Sequence, residues 1–442
     1  MPSFYLEPLG CAKNQVDAEV IISLLLDAGW ELVEDPAEAD LIVVNTCGFI
    51  RDAKEESLET AFLFRERFPD KRILLTGCLA QRYGRELGEG MEEVDGVLGN
   101  ADLSAVVDAA RQVMEGRRVV WTPQARRPAH VRRKRLLSFP GSAYVKVAEG
   151  CDNRCSYCAI PLIRGRFWSR PEEEIVQEVK GLLGEGIREV NLVAQDLGSY
   201  GKERGGSLSG LLERILELQG DFWVRLLYIH PDHFPWEILR LMGQDRRLLP
   251  YVDLPFQHVS ARLLRRMGRR GDAERYAELV HALRDSLPDV VVRSTFLLGF
   301  PGEEEEDLDA LARFLEEVRL DWAGFFVYSP EEGTPAEAWH REEGRKGRVR
   351  LERAERRKED LERLQEGITG ERLERWVGRE CEVLVEERIE GEDMALARSA
   401  FQAPEVDGLV VVHGEGLEPG RVVRVRVLKR NGIDLEGVCL SQ

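Results

Sequence analysis

The sequence predicts an α/β protein in three parts: an N-terminal parallel α/β sheet domain, a central incomplete (β/α) barrel of the TIM type, and a small antiparallel β-barrel at the C-terminus. Strand and helix patterns alternate twice along the chain, and after about residue 375 only strand patterns remain. A chain of 442 residues is also too long for one hydrophobic core. We therefore expect domains at 1–120, 139–368 and 372–440, with a linker at 121–138.

The N-terminal domain is predicted from short apolar runs that are separated by helical patterns. These runs lie at 4–9, 40–45 and 72–76, and the amphipathic segment 16–29 follows the first of them. Strands that alternate with helices imply a parallel sheet.

The central domain is predicted from a second alternating series, in which about six strand candidates are separated by amphipathic segments. Six βα units are too few for a closed eight-stranded barrel, so we expect an incomplete one. The densely charged helical segment 341–366 is expected to pack outside it. The strand candidates are AYVKVA (143–148), EVNLVA (189–194), WVRLLYI (223–229), YVDL (251–254), VVVRSTFLL (290–298) and AGFFVY (323–328).

The basic, proline-containing stretch QARRPAHVRRKRLL at 124–137 joins these two domains. It could bind phosphate, but short charge runs are commonly solvated, so a solvated connection is favoured. Beyond residue 375, ECEVLVEER, LVVVHGEG and RVVRVRVLKR read as the strands of a small barrel or sandwich.

The composition indicates a soluble globular protein with an acidic field. The formal net charge is −18, and 43% of the residues are hydrophobic. Such a field repels phosphate overall and would attract a basic partner. We see no signal peptide and no apolar run of membrane-spanning length, so we expect a cytoplasmic protein that does not enter the membrane. In that reducing compartment its eight cysteines indicate metal ligands or catalytic groups more often than disulfides.

Three cysteines, Cys151, Cys155 and Cys158, fall within the eight residues CDNRCSYC, directly after the strand candidate 143–148. The carboxyl ends of barrel strands are where such barrels carry their chemistry. Three thiolates can bind three irons of a 4Fe-4S cluster and leave the fourth iron open to a ligand. A structural zinc site would usually need a fourth Cys or His, and no second CxxC pair is nearby. The spacing therefore favours a cluster over zinc.

Three further cysteines, Cys11, Cys47 and Cys78, are far apart in sequence but each follows a predicted strand. Ligands gather at the carboxyl ends of the strands in open parallel sheets, so these thiols can converge on one point. The alternative is three buried structural cysteines, since free cysteine is often buried. Three such placements favour a second three-thiolate 4Fe-4S cluster, which would hold or donate sulfur.

These motifs resemble those of a known family. The CxxxCxxC spacing, with Tyr157 before the last cysteine, is similar to the signature of the radical S-adenosylmethionine (SAM) superfamily, and the chain as a whole resembles the methylthiotransferases within it. The resemblance implies that the C-terminal barrel is a TRAM domain. The matching segments are LGCAKNQVDAE, NTCGFIRDAKEES, TGCLAQRY, PFQHVSARLLRRMGR and TFLLGFPGEEEEDL.

Two branches of that family differ in substrate. One modifies tRNA adenosine; the other methylthiolates the β-carbon of an aspartate in a small-subunit ribosomal protein. LGCAKN, SPEEGTPA (329–336) and RSAFQAPEVDG (398–408) are similar to the second branch, although Ala12 stands where that branch often has Pro. The segment 377–442 has 13 acidic and 8 basic residues, which suits a basic ribosomal protein better than tRNA.

The resemblance also implies a mechanism and partners. One SAM molecule supplies a methyl group to sulfur at the Cys11, Cys47 and Cys78 cluster. A second is cleaved at the other cluster to a 5′-deoxyadenosyl radical, which abstracts hydrogen from the substrate carbon. The C–H bond is too weakly acidic for ordinary base catalysis at neutral pH. We therefore expect two 4Fe-4S clusters, SAM, an electron donor, and a ribosomal protein bound through the TRAM domain.

Other residues at strand ends are candidates for binding the cofactor. Arg293 could pair with the cofactor carboxylate, and Gly299 could allow the backbone to approach the nucleoside. Each of these candidates has a structural alternative, such as a satisfied polar group in the barrel mouth or a turn glycine. The candidates are Gln195, Asp196, Gln257, His258, Arg293 and Gly299, whereas His230 fits a turn better than a metal site.

The last two cysteines, Cys381 and Cys439, lie in the C-terminal segment. They could be strand neighbours, but two thiols make no obvious metal site. We expect both to be packing residues.

Overall fold

The computed structural model describes residues 1–123 and 131–440. Residues 124–130 of the basic stretch lie outside this range, so the hypothesis of a phosphate-binding patch is not tested there. Among the described residues, no helix is both long and apolar enough to cross a membrane.

The N-terminal domain is a six-stranded parallel sheet with strand order β2-β1-β3-β4-β5-β6. Its central strands are buried on both faces, which explains the continuous apolar run LIVV in β3. Short β2, β5 and β6 have no counterpart among the three predicted runs. The elements are β1 (Ser3–Pro8), α1 (Ala12–Asp27), β2 (Glu31–Leu32), β3 (Leu41–Thr46), α2 (Arg51–Arg67), β4 (Arg72–Gly77), α3 (Cys78–Gly90), β5 (Gly96–Gly99), α4 (Val106–Met114) and β6 (Val119–Trp121).

The central domain is the expected incomplete barrel, an open sheet of six parallel strands with order β14-β13-β12-β11-β10-β7. Helices cover its outer face. A short two-stranded pair, β8 and β9, flanks the cysteine loop. The elements are β7 (Ser142–Lys146), β8 (Ala148–Glu149), α5 (Ile160–Arg164), β9 (Trp168–Ser169), α6 (Glu172–Gly184), β10 (Glu189–Val193), α7 (Leu208–Leu216), β11 (Trp223–Leu226), α8 (Glu237–Gln244), β12 (Leu248–Asp253), α9 (Ala261–Arg266), α10 (Ala273–Ser286), β13 (Val291–Leu298), α11 (Glu305–Val318) and β14 (Trp322–Val327).

Two helices follow the last core strand, where the sequence predicted one helical segment at 341–366. These are α12 (Pro335–Glu343) and α13 (Arg345–Leu373). Gly344 separates them with a φ of +54°, a conformation that favours glycine.

The C-terminal domain is a closed five-stranded barrel with order β15-β16-β17-β19-β18. Four strand pairs are antiparallel as predicted, and the parallel pair β17 and β19 closes the barrel. Closure leaves no unpaired sheet edge. The strands are β15 (Glu380–Arg388), β16 (Met394–Ser399), β17 (Val410–His413), β18 (Val422–Asn431) and β19 (Asp434–Cys439).

Residues 398–407 of this barrel fill the inner face of the core sheet, and we call them the plug segment. Arg225 of β11, which is fully buried, donates to the carbonyl oxygens of Ser399 and Ala400 at 3.3 and 2.9 Å. Trp322 Nε1 of β14 donates to the Phe401 carbonyl at 3.0 Å. The C-terminal domain therefore completes the core interior rather than standing apart from it. Further contacts join Tyr251 to Asp407 and Arg398 to Glu189.

The segment SPEEGTPA (329–336) attaches the core to the N-terminal domain. Glu331, which is buried, forms ion pairs with Arg82 of α3 and Lys54 of α2. Arg82 also donates to the carbonyl oxygens of Gly48 and Glu332 at 3.1 and 2.8 Å. A segment noted in the sequence as a marker of substrate branch is thus an interdomain contact.

Candidate active site

The core cysteines lie on one loop that is held at both ends by neighbouring segments. Ser156, between Cys155 and Cys158, donates through its backbone N–H to the Met267 carbonyl and through its hydroxyl to the Arg266 carbonyl, both at 2.9 Å. Asn153 Nδ2 donates to Asp196 at 2.9 Å. Asp196 also accepts from Ser199 and His233. The loop is therefore positioned by the chain before α10 and by the end of β10.

The three core thiols lie close enough together to affect one another's ionisation. Burial raises the pKa of Cys151 to about 11, with a further contribution from Asp196. Burial and the neighbouring Cys155 raise the pKa of Cys158 to about 12. Thiolates, not thiols, are the metal ligands, so Cys151 and Cys158 would lose their protons when a cation binds.

The N-terminal cysteines are brought together by the order of the strands. β1, β3 and β4 are neighbours, so the loops after them share one edge of the sheet. Cys11 is the N-cap of α1, Cys47 follows β3 directly, and Cys78 is the first residue of α3. The structure confirms the predicted placement of these cysteines after the strands. Cys11 and Cys78 also lie at the positive, N-terminal ends of helix dipoles.

The backbone around these cysteines is packed tightly. An added Cβ on Gly10 would lie 2.8 Å from Cys47 Cβ, and one on Gly48 would lie 2.9 Å from the carbonyl carbon of Cys78. The Asn14 side-chain amide joins the loops by donating to the carbonyls of Leu9, Asn45 and Thr46, at 2.6, 3.3 and 3.3 Å. The three cysteine loops thus touch each other.

These thiols differ in their readiness to ionise. Cys11 is exposed and the other two are buried. Desolvation opposes ionisation of Cys11, but Lys13 and Arg164 outweigh it and lower its pKa. Burial raises the pKa of Cys47 to about 12, with a further contribution from Cys78. Burial likewise raises the pKa of Cys78, against the opposing effect of Arg164.

The N-terminal group of cysteines is linked to the core loop through Cys78 and the short helix α5. Cys78 packs against Ala159 and Ile163, and Ala159 directly follows Cys158. Arg164 Nη2, at the end of α5, donates to Cys78 Sγ at 3.3 Å. The sequence alone left the relative placement of the two groups open; the fold makes them neighbours.

Sequence reasoning missed the charged network between these groups. Arg164 pairs with Asp17 of α1 at 2.9 Å and with Glu149 of β8 at 3.0 Å, and Lys146 pairs with both carboxylates. Asn100 Nδ2 also donates to Cys78 Sγ at 3.4 Å. Asp17 and Arg164 do stand in the segments CAKNQVD and CSYCAIPLIR, a few residues after a cysteine, but only the approach of α1 to α5 gives them a role.

Gln195 is the candidate cofactor ligand whose surroundings best suit binding. Its Nε2 lies 3.4 Å from Glu149 Oε1, so the side chain is directed toward the cysteine loop. Its Oε1 is buried and has no hydrogen-bond partner among the described residues. An unpartnered buried acceptor fits a donor supplied by a ligand. Gln257 has a φ of +70° and is fixed to β13 through its backbone, and its binding of the cofactor stays a prediction.

Arg293 and Gly299 have structural roles in the fold. The Arg293 guanidinium lies 3.5 Å from Asp253 and 3.4 Å from Asp407 of the plug segment. An added Cβ on Gly299 would lie 2.9 Å from Ala354 Cβ of α13, so packing is one reason for a glycine there. Contact of either residue with the cofactor stays a prediction.

The histidines near the barrel mouth make hydrogen bonds within the scaffold, and binding of the cofactor by His258 stays a prediction. His258 is fully buried and its Nδ1 accepts from the backbone N–H groups of Val259 and Ser260. His230 caps a short turn by accepting from Asp232 N at 3.2 Å, as the turn interpretation expected. Burial lowers its pKa to about 3, so it is neutral at physiological pH.

The expectation that Cys381 and Cys439 could be strand neighbours is wrong. Both are paired with Val425, Cys381 from β15 on one side and Cys439 from β19 on the other. Strand β18 thus separates them by two inter-strand spacings, roughly 9–10 Å. That exceeds the reach of a disulfide.

A single-ion site is not formed by any of these groups. Among the described residues, no three His, Cys, Asp or Glu side chains are arranged to hold one metal ion.

Comparison with known families divides the chain into three matched regions. Residues 3–99 match the uncharacterized protein family UPF0004, residues 145–315 match the radical SAM superfamily, and residues 377–440 match the TRAM domain. The predicted order of a radical SAM core followed by a TRAM domain is confirmed.

Curated relatives match over nearly the full length. A ribosomal protein uS12 methylthiotransferase RimO from Treponema denticola is 42% identical, covering 98% of this chain and 99% of its own. The protein of the same name from Desulforamulus reducens is 42% identical over 99% of both chains. Among solved structures, the radical SAM methyltransferase TsrM from Kitasatospora setae covers 76% of this chain and 74% of its own at a TM-score of 0.55. At 17% identity, that likeness concerns the fold alone.

Proposed function

The chain belongs to the RimO family of radical SAM methylthiotransferases, and on that premise we propose that it attaches a methylthio group to the β-carbon of an aspartate in ribosomal protein uS12. The observation that carries the proposal is the packing of Cys78 against α5, the helix that directly follows the core cysteine loop. A methylthiolation needs a radical source and a sulfur site within reach of one substrate carbon. Adjacent groups of thiols meet that need.

A radical SAM enzyme uses SAM and a 4Fe-4S cluster, and we propose that Cys151, Cys155 and Cys158 hold this cluster. We further propose that Cys11, Cys47 and Cys78 hold a second one, the auxiliary cluster. Its support is the meeting of three cysteine loops at adjacent strand ends and the donation of Arg164 and Asn100 to Cys78.

When bound, the two clusters and SAM supply the one-electron and sulfur chemistry, and the protein positions and shields it. Gln195 offers an unpartnered carbonyl oxygen to a donor on the cofactor. Asp196 and Ser156 fix the core cysteine loop. The plug segment closes the inner face of the sheet, so substrate reaches the site from the end that carries the cysteines.

The surface of the TRAM domain favours a protein substrate over tRNA. The cations of β18 are ion-paired: Arg424 and Arg426 share Glu380 at 2.8 Å, Lys429 pairs with Glu436 at 2.9 Å, and Arg430 pairs with Glu374 at 3.0 Å. An RNA-binding face would need such cations for phosphate. We propose that uS12, a basic partner, contacts the acidic remainder of this domain.

The test is a direct competition between substrates. Enzyme reconstituted anaerobically with iron and sulfide is incubated with SAM and a reductant, and with either recombinant uS12 or total tRNA. Mass spectrometry of each product is expected to show a methylthio gain on the uS12 aspartate and none on tRNA. A gain on tRNA alone would overturn the proposal in favour of tRNA adenosine methylthiolation.

A further inference from the structure

We propose that Arg164 is a positioning residue for the auxiliary cluster, whose guanidinium donates to the Cys78 sulfur and sets how readily that cluster accepts an electron. The inference rests on the proposed function, because it requires that Cys11, Cys47 and Cys78 hold a cluster. It adds a residue that belongs to neither group of cysteines. It also gives a physical role to the charged network between them.

The contact itself is direct and buried. Arg164 Nη2 lies 3.3 Å from Cys78 Sγ and 3.5 Å from Asn14 Oδ1, and the side chain is 3% exposed. Arginine stays protonated and offers five donors in a fixed fork. In Arg164, Nη1 faces Glu149, and Nη2 lies near both Asp17 and the Cys78 sulfur. Hydrogen bonds to cluster sulfurs and local charge are established determinants of cluster potential.

The network around Arg164 is balanced, so losing its charge would matter. Arg164 and Lys146 carry two positive charges, and Asp17 and Glu149 carry two negative ones. Removing the guanidinium charge would leave an excess carboxylate beside the cluster. Adding an electron would then be harder, and the reduction potential would fall.

The position of Arg164 also ties the auxiliary cluster to the core. Helix α5 begins two residues after Cys158 and ends at Arg164. A displacement of the core loop therefore moves the donor that reaches Cys78. This makes Arg164 a candidate for fixing the orientation of one site relative to the other.

A matched control is available in Arg133. Its side chain is 2% exposed and, like Arg164, it links α1 to the core, through Glu19 and through Glu178 at 2.7 Å. None of the contacts of Arg133 with the described residues involves a cysteine. A purely structural role would give Arg164 and Arg133 variants the same behaviour.

The experiment uses a background protein, the whole chain with Cys151, Cys155 and Cys158 replaced by alanine. Only the auxiliary cluster can form in this background. Arg164→Gln, Arg164→Lys and Arg133→Gln are each added to this background. Iron and sulfide are measured after reconstitution, the reduction potential is measured by EPR-monitored titration, and thermal unfolding is recorded for each apo-protein.

Arg164→Gln is expected to lower the reduction potential by at least about 59 mV, which for one electron is a tenfold change in the reduction equilibrium. Loss of auxiliary iron in Arg164→Gln but not in Arg133→Gln would support the same role. Arg164→Lys, which keeps the charge, is expected to shift the reduction potential less. If Arg164→Gln does not fold, the potential of Arg164→Lys tests the inference in its place.

Two results would overturn the inference, and they differ from failure of the proposed function. Unchanged iron and potential in both Arg164 variants would leave Arg164 a structural residue, as would an equal shift in Arg133→Gln. If the background itself binds no iron, the auxiliary cluster does not exist, and the proposed function falls together with this inference.

Discussion

The core group of cysteines comes from one loop of eight residues, whereas the N-terminal group comes from three loops that are neighbours only in the folded sheet. The core loop is held by hydrogen bonds from Ser156 and Asn153 to nearby segments. The N-terminal group is held by Asn14, which joins its loops, and by Arg164, which comes from the other domain. One site is thus built locally, and the other depends on how two domains dock.

The difference predicts different vulnerabilities. A locally built site should keep its cysteine geometry when the domains are displaced, because its supporting contacts lie within the core. A site completed across a domain contact should be sensitive to changes far from its ligands. The predictions that follow test this contrast, beginning with the largest expected effect.

Replacing one ligand in each group should separate the two sites completely. Cys158→Ala is expected to abolish formation of 5′-deoxyadenosine, and Cys78→Ala is expected to abolish methylthiolated uS12 while SAM cleavage persists. Each variant should lose about four of about eight irons per chain. Iron analysis and chromatography of the nucleoside product measure these outcomes. Cys381→Ala, in the C-terminal barrel, is the control and should change neither.

Glu331→Gln should weaken the dependent site and spare the local one. It removes the carboxylate charge that buried Arg82 and Lys54 share, and breaking a buried pair typically costs about 3–5 kcal/mol. We expect methylthio product per 5′-deoxyadenosine to fall by about tenfold or more, since the cluster domain is displaced. The control is Glu332→Gln, next along the chain. It keeps the contact of Arg82 with the carbonyl of residue 332 and should leave the product ratio unchanged. An unchanged product ratio in Glu331→Gln would show that docking does not depend on this ion pair.

Asp196→Asn should affect the local site and its dependence on pH. Burial opposes ionisation of Asp196, but hydrogen bonds from His233 and Ser199 outweigh it and hold its pKa well below the ordinary value. The carboxylate therefore stabilises the fold above the unfolded pKa of about 3.9, and this contribution is lost as pH falls below that value.

Chemical denaturation at pH 7 and pH 3 measures this contribution. We expect Asp196→Asn to lower stability by about 1–3 kcal/mol at pH 7 and by less at pH 3, where protonation of the carboxyl in the unfolded state removes part of the contribution. An equal loss at both pH values would assign the effect to packing rather than to the charge. Asp289→Asn, an exposed acidic residue, serves as the control.

Gln195→Ala should give the smallest effect, confined to cofactor binding. Loss of one hydrogen bond to a ligand corresponds to about 1.4 kcal/mol, or roughly tenfold in the dissociation constant for SAM. Equilibrium binding to the reconstituted enzyme measures it, with exposed Gln177→Ala as the control. Unaltered affinity would remove Gln195 from the proposed pocket.

Much of the fold followed from local patterns, because strands buried on both faces leave continuous apolar runs such as LIVV in β3. In the N-terminal sheet, the missed strands β2, β5 and β6 have two to four residues each, too few for a recognisable period. In the C-terminal barrel, β16 and β19 were missed although each has six residues. Gly344 divided a segment whose charge pattern looked continuous, because charge shows the exposed face but not the break.

The ligands were more predictable than the residues that support them. Cys151, Cys155 and Cys158 are marked by spacing, and Cys11, Cys47 and Cys78 by their place after strands. Arg164 carries no such mark, since it gains its role only when α5 meets α1. The expectation that Cys381 and Cys439 could be strand neighbours was wrong because it depended on strand order. The sequence does not state this order, and β18 lies between their strands.

The plug segment has a consequence for biosynthesis. Because the inner face of the core sheet is completed by residues 398–407, the core cannot finish folding when its last strand, β14, leaves the ribosome. Until the C-terminal barrel has been made, Arg225 and Trp322 face water in an unfinished cavity. We therefore expect the catalytic domain to complete its folding only after the barrel has been synthesised, and a chain cut short before the barrel to leave this interior exposed.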